Sequence, residues 1–138
     1  MSSFATLLRL RQRAREESQA LVRRAEDERE AQAQRLAAVR DSVVRAREEL
    51  DHTDPIALTN YHAFRMRQEV AERREAGKLV QRERELEQKR AIHVGRVRDE
   101  LAMQNVIEAH ARDEAEAEAR RDARRMDEIA ARLERVEA

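Results

Sequence analysis

The sequence has no cysteine and no tryptophan, and it holds only three aromatic residues, two glycines and one proline. The absence of cysteine excludes disulfides, thiolate catalysis and thiolate metal ligands. So few aromatic side chains argue against a compact core, and so few glycines and prolines leave few points at which a helix would stop. We therefore predict long helices and not a globular domain.

Long apolar runs are also absent. The N-terminal run from Phe4 to Leu8 is five residues long before Arg9 interrupts it, whereas the apolar part of a secretory signal needs roughly 7 to 15 residues. No window of the sequence approaches the length and hydrophobicity of a membrane span. We therefore expect a cytoplasmic protein.

Charged residues make up 42% of the chain, and 29 basic and 29 acidic side chains cancel to a formal net charge of zero. A composition dominated by alanine, glutamate, arginine and leucine is typical of long helices and coiled coils. Intrinsic disorder is the alternative for such a charged chain, and we expect it mainly at the ends. The strong helix formers and the zero net charge favour folded helices.

The helical pattern is interrupted once, between residues 49 and 64, where the only proline lies. Asp54-Pro55 is a helix start signal, because a short acceptor side chain caps the free N–H groups and proline has a suitable φ. We predict an all-α fold, a long antiparallel two-helix coiled-coil hairpin whose second helix is longer than the first. This single coiled-coil domain spans residues 1–138, with the helices at about 3–50 and 56–137.

Part of the first helix keeps the three-and-four spacing of a coiled-coil seam. Nearer the N-terminus the apolar residues are less regular, with Leu21 and Val22 on roughly one side, and we interpret this as a phase slip near Ala25. Gly77 and Gly95 interrupt the pattern of the second helix, and we interpret both as tolerated glycines and not as bends. The regular positions of the first helix are Leu36, Val39, Val43, Ala46 and Leu50.

The distribution of charge gives a way to choose the hairpin register. Residues 1–24 hold six basic and two acidic residues, a net charge of +4. A tight turn at Thr53-Asp54 would place them opposite a segment of net charge +1, whereas a broad tip over residues 51–70 places them opposite residues 97–120, with three basic and seven acidic residues. Because opposite charges select coiled-coil alignments, we predict the broad tip. It leaves residues 121–138 as an amphipathic overhang without a partner.

No catalytic or metal site is indicated by the residues. The four histidines do not form a His-Glu-x-x-His motif, no glycine-rich phosphate loop is present, and a two-helix hairpin offers no pocket in which to desolvate a catalytic group. We expect a protein that is not an enzyme, with no cofactor, no metal and no small-molecule substrate. We interpret the histidines as solvated residues on helix surfaces.

Nucleic-acid binding is an alternative function to consider, because the arginines cluster, for example at positions 9, 11, 13 and 15. Nucleic-acid-binding modules usually carry a clear net positive charge on one face. Here the arginines are interleaved with acidic residues, and the four positions are distributed around the helix and do not share one face. Solvated flanks of a coiled coil are the better interpretation, and we expect no nucleic-acid partner.

Two short stretches resemble a known family. Residues 60–64, Asn-Tyr-His-Ala-Phe, resemble the Asn-Tyr-x-x-Phe that follows the break in the FliJ family, and residues 125–130, Arg-Met-Asp-Glu-Ile-Ala, are similar to that family's ending. Three further features fit the same family, namely the Leu-Leu-Arg-Leu-Arg start, the length of the chain and the longer second helix. The whole layout resembles FliJ, the cytoplasmic stalk protein of the bacterial flagellar type III export apparatus, and more distantly its injectisome counterparts.

The resemblance implies an antiparallel coiled coil similar to the central stalk of rotary ATPases. In that family the ends of the coiled coil bind and activate a hexameric export ATPase, and the region around the post-break helix contacts the export-gate membrane protein and export chaperones. The implied location is cytoplasmic, peripherally associated with the membrane export apparatus. The implied ATPase-facing residues are Leu7, Leu8, Met126, Ile129 and Leu133, and the gate-facing residues are Tyr61, Phe64 and Ala71.

Several alternatives stay open at this point. The chain departs from the family in lacking a second aromatic pair before the break, and Tyr61 and Phe64 could equally plug the tip of the hairpin. A different function is that of a self-associating structural coiled coil of another cytoplasmic assembly, in which the overhang pairs with its own copies. A nucleic-acid-binding protein would instead show salt-dependent retention on heparin or DNA.

Overall fold

The computed structural model describes residues 2–137, so that Met1 and Ala138 lie outside the described residues. It contains two helices, α1 (Ser2–Glu48) and α2 (Pro55–Glu137), and no strand occurs among the described residues. The helices form a hairpin whose second helix is the longer, which confirms the predicted all-α fold. Neither helix, as far as it is described, has a stretch that is long and apolar enough to cross a membrane.

The contacts divide the chain into two compact units. The hairpin unit consists of residues 14–96 and contains the turn between the helices. The terminal unit consists, within the described residues, of residues 2–13 together with residues 97–137. Each unit therefore contains parts of both helices.

The turn is closed by the residues that were predicted to start the second helix. Asp54 Oδ1 accepts a hydrogen bond from the Ile56 N–H at 3.0 Å, and the Asp54 carbonyl accepts from the Leu58 N–H at 3.0 Å. Pro55 fills the first helical position, where an N–H would have no partner within the helix. The prediction of a helix start at Asp54-Pro55 is confirmed.

A second aspartate holds the connection between the helices. Asp51 Oδ1 accepts hydrogen bonds from the Thr53 hydroxyl at 2.6 Å and from the Thr53 N–H at 3.0 Å, and the Asp51 carbonyl accepts from the Asp54 N–H at 3.3 Å. An aspartate that bonds the backbone two residues on is a common turn device. The two Thr53 donors lower the pKa of the Asp51 carboxyl group below its ordinary value.

In the hairpin unit, the seam of α1 keeps heptad spacing back to Ser18. All five positions predicted from Leu36 to Leu50 are buried or half-buried, which confirms them as seam positions. The predicted phase slip near Ala25 is wrong, because the spacing continues through polar residues, while Leu21 is 41% exposed. The additional seam positions are Ser18, Val22, Ala25, Arg29 and Gln32.

Gln32 is the most deeply buried of these polar residues, with 2% of its surface exposed. Its Nε2 donates to the carbonyl oxygen of Glu75 at 3.1 Å and also to the Glu75 carboxylate. Its Oε1 accepts from Arg35 Nη1 at 3.4 Å. The buried amide is therefore satisfied, as a polar group inside a protein must be to avoid a large desolvation cost.

Ser18 forms a second polar layer in the seam and is 5% exposed. Its hydroxyl donates to the Arg15 carbonyl oxygen at 2.8 Å and lies 2.8 Å from His93 Nδ1. This contact joins a buried polar residue of α1 to the imidazole of α2.

The pairs between the helices of the hairpin unit correspond to a tight turn. Arg47 Nε donates to the Tyr61 hydroxyl at 3.3 Å, and Arg40 Nε lies 3.0 Å from Glu72 Oε1. The broad-tip register is therefore wrong, since it would shift these partners by about ten residues. The net charges of whole segments did not predict the register, because they count every charged side chain of a segment. Most of these side chains face solvent, where an ion pair contributes only about 0.2–1 kcal/mol.

The two glycines lie inside continuous helix. A Cβ added at Gly77 or Gly95 would meet nothing within 4 Å, and neither glycine has a positive φ. Neither position therefore needs glycine for a close approach or for its backbone conformation. The interpretation of both as tolerated helix residues is confirmed.

In the terminal unit, the start of α1 packs on α2 near His110. The Phe4 ring meets the His110 imidazole edge to face with centroids 5.0 Å apart, and Arg11 Nη1 lies 3.8 Å from Asp99 Oδ2. From Ala111 to Glu137 every residue is exposed except the half-buried Ala117. The overhang thus begins about ten residues before the expected residue 121, as the tight turn requires.

Candidate protein-binding surfaces

The overhang carries an apolar stripe along one side of α2. Met126, Ile129, Leu133 and Val136 are 65%, 49%, 59% and 83% exposed, respectively. Their spacing of three, four and three residues places them on one face of a helix. A helix with one uncovered apolar face is the form in which many helical segments enter a groove of a partner protein. We name these four residues the overhang surface.

A second candidate surface lies where α1 begins. Phe4, Leu8, Ile107 and His110, with two alanines, line an open apolar groove of about 250 Å³. Leu8 is half-buried in this groove, whereas Leu7 is 43% exposed and does not line it. The two neighbouring leucines therefore have different environments.

The implied ATPase-facing residues form two separate surfaces within the terminal unit. Leu8 lines the same groove as Ile107. Met126 follows Ile107 by nineteen residues in α2, which is roughly 28 Å at the helical rise of 1.5 Å per residue. A partner that contacts both surfaces must therefore extend over this distance.

The implied gate-facing residues lie in the hairpin unit, between six and sixteen residues after the start of α2. Tyr61, Phe64 and Ala71 are all half-buried. The Tyr61 hydroxyl accepts a hydrogen bond from Arg47, which raises the pKa of the Arg47 guanidinium. Tyr61 therefore contacts α1 while part of its surface stays accessible, so that plugging the tip and binding a partner are compatible roles.

A third apolar surface in the hairpin unit was not singled out from the sequence. Ile56, Met66 and Val70 are 72%, 70% and 56% exposed, although all three are large apolar residues of α2. The signal was present in the sequence as a second series at heptad spacing. This series is separate from the one that pairs the two helices, so the pairing pattern does not reveal it. We define the outer stripe as Ile56, Ala63, Met66, Val70, Gly77 and Val80.

The interpretation of all four histidines as solvated is wrong for His93, which is half-buried against Ser18. His110 packs against Phe4 but keeps 42% of its side chain exposed, and His52 and His62 are exposed. A histidine at a seam position has the same local sequence as one on the surface, and only the register separates them. Residues 2–137 contain no group of three or more side chains that could together hold a metal ion.

The comparisons with known proteins bear on the whole chain. A family model described as "Flagellar FliJ protein" matches residues 1–137. No curated protein and no solved structure gives a significant match. The matched range includes both helices, the turn with its Asn-Tyr-x-x-Phe sequence and the overhang surface. The chain therefore belongs to the flagellar FliJ protein family.

Proposed function

We propose that this protein is a non-catalytic central-stalk component of a bacterial type III export apparatus. It binds and activates a hexameric export ATPase and couples that enzyme to the export gate and to export chaperones. Membership of the family supports the assignment to the export apparatus. The observation that carries the ATPase contact is the overhang surface, an apolar stripe without a partner among the described residues.

The overhang surface has the chemistry of a docking helix. Full burial of a side chain such as Met126, Ile129 or Leu133 contributes about 1.5–3 kcal/mol, and only part of this is gained in the free protein, where these residues are 49–65% exposed. A groove on the ATPase that covers these side chains recovers the rest on binding. Leu7 and the groove around Leu8 add a second contact of the same apolar kind.

The gate contact is assigned to the first part of α2. Aromatic side chains dominate the energetics of protein interfaces when they enter a partner's pocket, and Tyr61 and Phe64 are the aromatic residues available there. Both are half-buried, with Ala71 on the same helix. The protein is then cytoplasmic and peripherally associated with the export gate, a membrane protein.

The test is the stimulation of ATP hydrolysis by a purified export ATPase. The intact protein is expected to raise the turnover of the enzyme. The double variant Met126→Asp with Ile129→Asp is expected to need at least about ten times more protein for the same effect, because losing 1.4 kcal/mol of binding free energy weakens affinity tenfold. Both side chains are exposed, so the helix content measured by circular dichroism should not change.

The matched control is Val44→Asp, which places the same charge on a side chain of similar exposure, 51%, in α1. This variant is expected to stimulate the ATPase as the intact protein does. No stimulation by the intact protein would contradict the proposal. Equal loss in the control and in the double variant would show that the overhang surface is not the contact.

The same exposed stripe favours a second candidate function, that of a self-associating structural coiled coil. Two overhangs from different copies would bury each other's apolar faces in a coiled coil. Light scattering that shows a stable dimer of the intact protein, a monomer of the double variant and no contact with the ATPase would favour this alternative.

A further inference from the structure

The outer stripe of α2 forms a second apolar seam in the hairpin unit, and no described residue covers it. Ile56, Ala63, Val70 and Gly77 recur every seven residues, and Met66 and Val80 each follow three residues after one of them. The stripe extends over roughly 36 Å of helix at 1.5 Å per residue. Thr59 and Arg73 occupy the other two positions of this three-and-four repeat. Such a repeat is the pattern by which a helix receives another helix.

Three arginines lie on the same face as the outer stripe. Arg67, Arg73 and Arg74 are exposed, and none of them makes an ion pair or a side-chain hydrogen bond with any residue from 2 to 137. By helical spacing Arg67 and Arg74 border the apolar residues, and Arg73 lies seven residues from both Met66 and Val80. Glu69 is the acidic residue beside the stripe, and its carboxylate lies 3.8 Å from Arg65.

Between residues 56 and 80, the other two basic residues are both paired. Arg65 lies 3.8 Å from Glu69, and Lys78 lies 3.4 Å from Glu75. Arg82 lies 3.1 Å from Glu28 of α1. The positive charge of this face is therefore concentrated along the outer stripe and is not neutralised within the described residues.

The small residues of the stripe favour a helix as its occupant over a lipid surface. Ala63 and Gly77 lie on its central line, and the space beside Gly77 is open to 4 Å around the position of a Cβ. Small residues at such positions let two helix backbones approach closely. Membrane-surface helices instead rely on bulky leucine, phenylalanine and tryptophan side chains, none of which occurs in the stripe.

We propose that the outer stripe binds a helix of a partner protein that carries its own apolar heptad stripe bordered by glutamate or aspartate. The apolar side chains of the two helices interdigitate, and the acids pair with Arg67, Arg73 and Arg74. This surface is distinct from the residues proposed to face the ATPase and the gate. The inference therefore does not depend on either of those contacts.

The test uses a synthetic 28-residue helical peptide with leucine at the a and d positions of its heptads and glutamate at the e and g positions. Its binding to the full chain is measured by fluorescence anisotropy at low and at high salt. We expect saturable binding that weakens as salt rises, because salt screens exposed charge pairs. A peptide with the same leucines and with lysine in place of glutamate should not bind.

Two variants locate the binding site without removing a residue of the seam between α1 and α2. Met66→Asp with Val70→Asp is expected to weaken binding of the acidic peptide at least tenfold. Gly77→Leu should also weaken it by blocking close approach, although leucine is a better helix former than glycine and should not lower the stability of the fold. Val44→Asp on α1 is the control and should bind as the intact protein does.

Three results would overturn the proposal. The first is no binding of the acidic peptide at low salt, and the second is unchanged binding in both outer-stripe variants. The third is salt-sensitive binding to vesicles of phosphatidylserine and phosphatidylcholine that is lost in these variants, with no binding of the peptide. That result would identify the surface as a lipid contact.

Discussion

Gln32 occupies a seam position at which a coiled coil ordinarily carries an apolar residue. Its amide finds its acceptors on Glu75, in both the backbone and the side chain. A buried polar group of this kind contributes little to stability and more to the choice of alignment, because another register would leave it without these partners. Gln32 is therefore a residue that specifies how α1 and α2 pair within the hairpin unit.

The bond between Gln32 and Glu75 is also expected to make stability depend on pH. The Gln32 amide lowers the pKa of the Glu75 carboxyl group, and Lys78 acts in the same direction. The folded state thus binds fewer protons than the unfolded state at acidic pH. The stabilisation from the Gln32–Glu75 bond is therefore complete above the ordinary glutamate pKa, and it is lost as pH falls through the lower pKa that Glu75 has in the folded state. Glu75→Gln should therefore lose less stability between pH 7 and pH 3 than the intact protein, as measured by urea unfolding.

The control for this prediction is Glu87→Gln. Glu87 is exposed and makes no hydrogen bond or ion pair among the described residues. Its replacement should leave the acid sensitivity of the intact protein unchanged. An equal loss of stability on acidification in Glu75→Gln and in the intact protein would show that the Gln32 contact does not set this dependence.

Single polar residues in the seam were the part of the structure that the sequence predicted least well. Ser18 and His93 are 75 positions apart, and nothing in the local sequence of either indicates the other. The same holds for Gln32 and Glu75. Their heptad positions were nevertheless visible, since Ser18 and Gln32 continue the spacing of Leu36 and Leu50 once polar residues are counted.

At the scale of the elements, the start of α2 depends on its cap. Asp54→Ala removes the acceptor of the Ile56 N–H and should lower the free energy of unfolding by about 1 kcal/mol. Asp54→Asn keeps an acceptor oxygen on a side chain of the same length, so it should lower the free energy of unfolding by only a small part of this amount. Urea unfolding followed by far-ultraviolet circular dichroism measures both, and equal losses in the two variants would contradict the capping role.

The helices themselves could be predicted because local chemistry decides them. The cap at Asp54, the proline after it and the spacing from Leu36 to Leu50 each have a physical meaning in a single chain. The register could not be predicted from the net charges of whole segments. It follows from a connection of six residues between Glu48 and Pro55 and from individual pairs such as Arg40 with Glu72. The error in register also made the expected overhang too short.

The outer stripe shows a second limit of prediction from spacing. A helix with two apolar series has two faces that could each pack against another helix. The sequence alone does not say which of the two faces packs against the other helix of the same chain. Burial decides this, because Leu86 of one series is 5% exposed and Met66 of the other is 70% exposed. The candidate surfaces therefore become visible only when the register is known.

At the scale of the whole molecule, the overhang should add little to stability. α2 continues past the end of its partner because extending an existing helix adds one hydrogen bond for each residue that is fixed. Removal of residues 120–138, whose described members are all exposed, is expected to change the free energy of unfolding by no more than about 0.5 kcal/mol. The shortened protein should at the same time lose its stimulation of the export ATPase.

Urea unfolding of the intact and shortened proteins measures the first effect, and the hydrolysis assay measures the second. A loss of well over 1 kcal/mol would mean that the overhang packs on the rest of the chain in solution. Undiminished stimulation would place the ATPase contact elsewhere, for example at the groove around Leu8.

The buried residues of this protein have a thermodynamic consequence. Among the described residues, only Ala25, Leu36 and Leu86 are apolar and buried, with 5–8% of their surface exposed. The heat capacity of unfolding rises mainly with the apolar surface that becomes exposed, and it is about 12–15 cal/mol/K per residue in ordinary globular proteins. A lower value per residue is expected here. The free energy of unfolding should then vary with temperature along a shallow curve, so that cooling continues to stabilise the fold well below the temperature at which globular proteins reach their maximum stability.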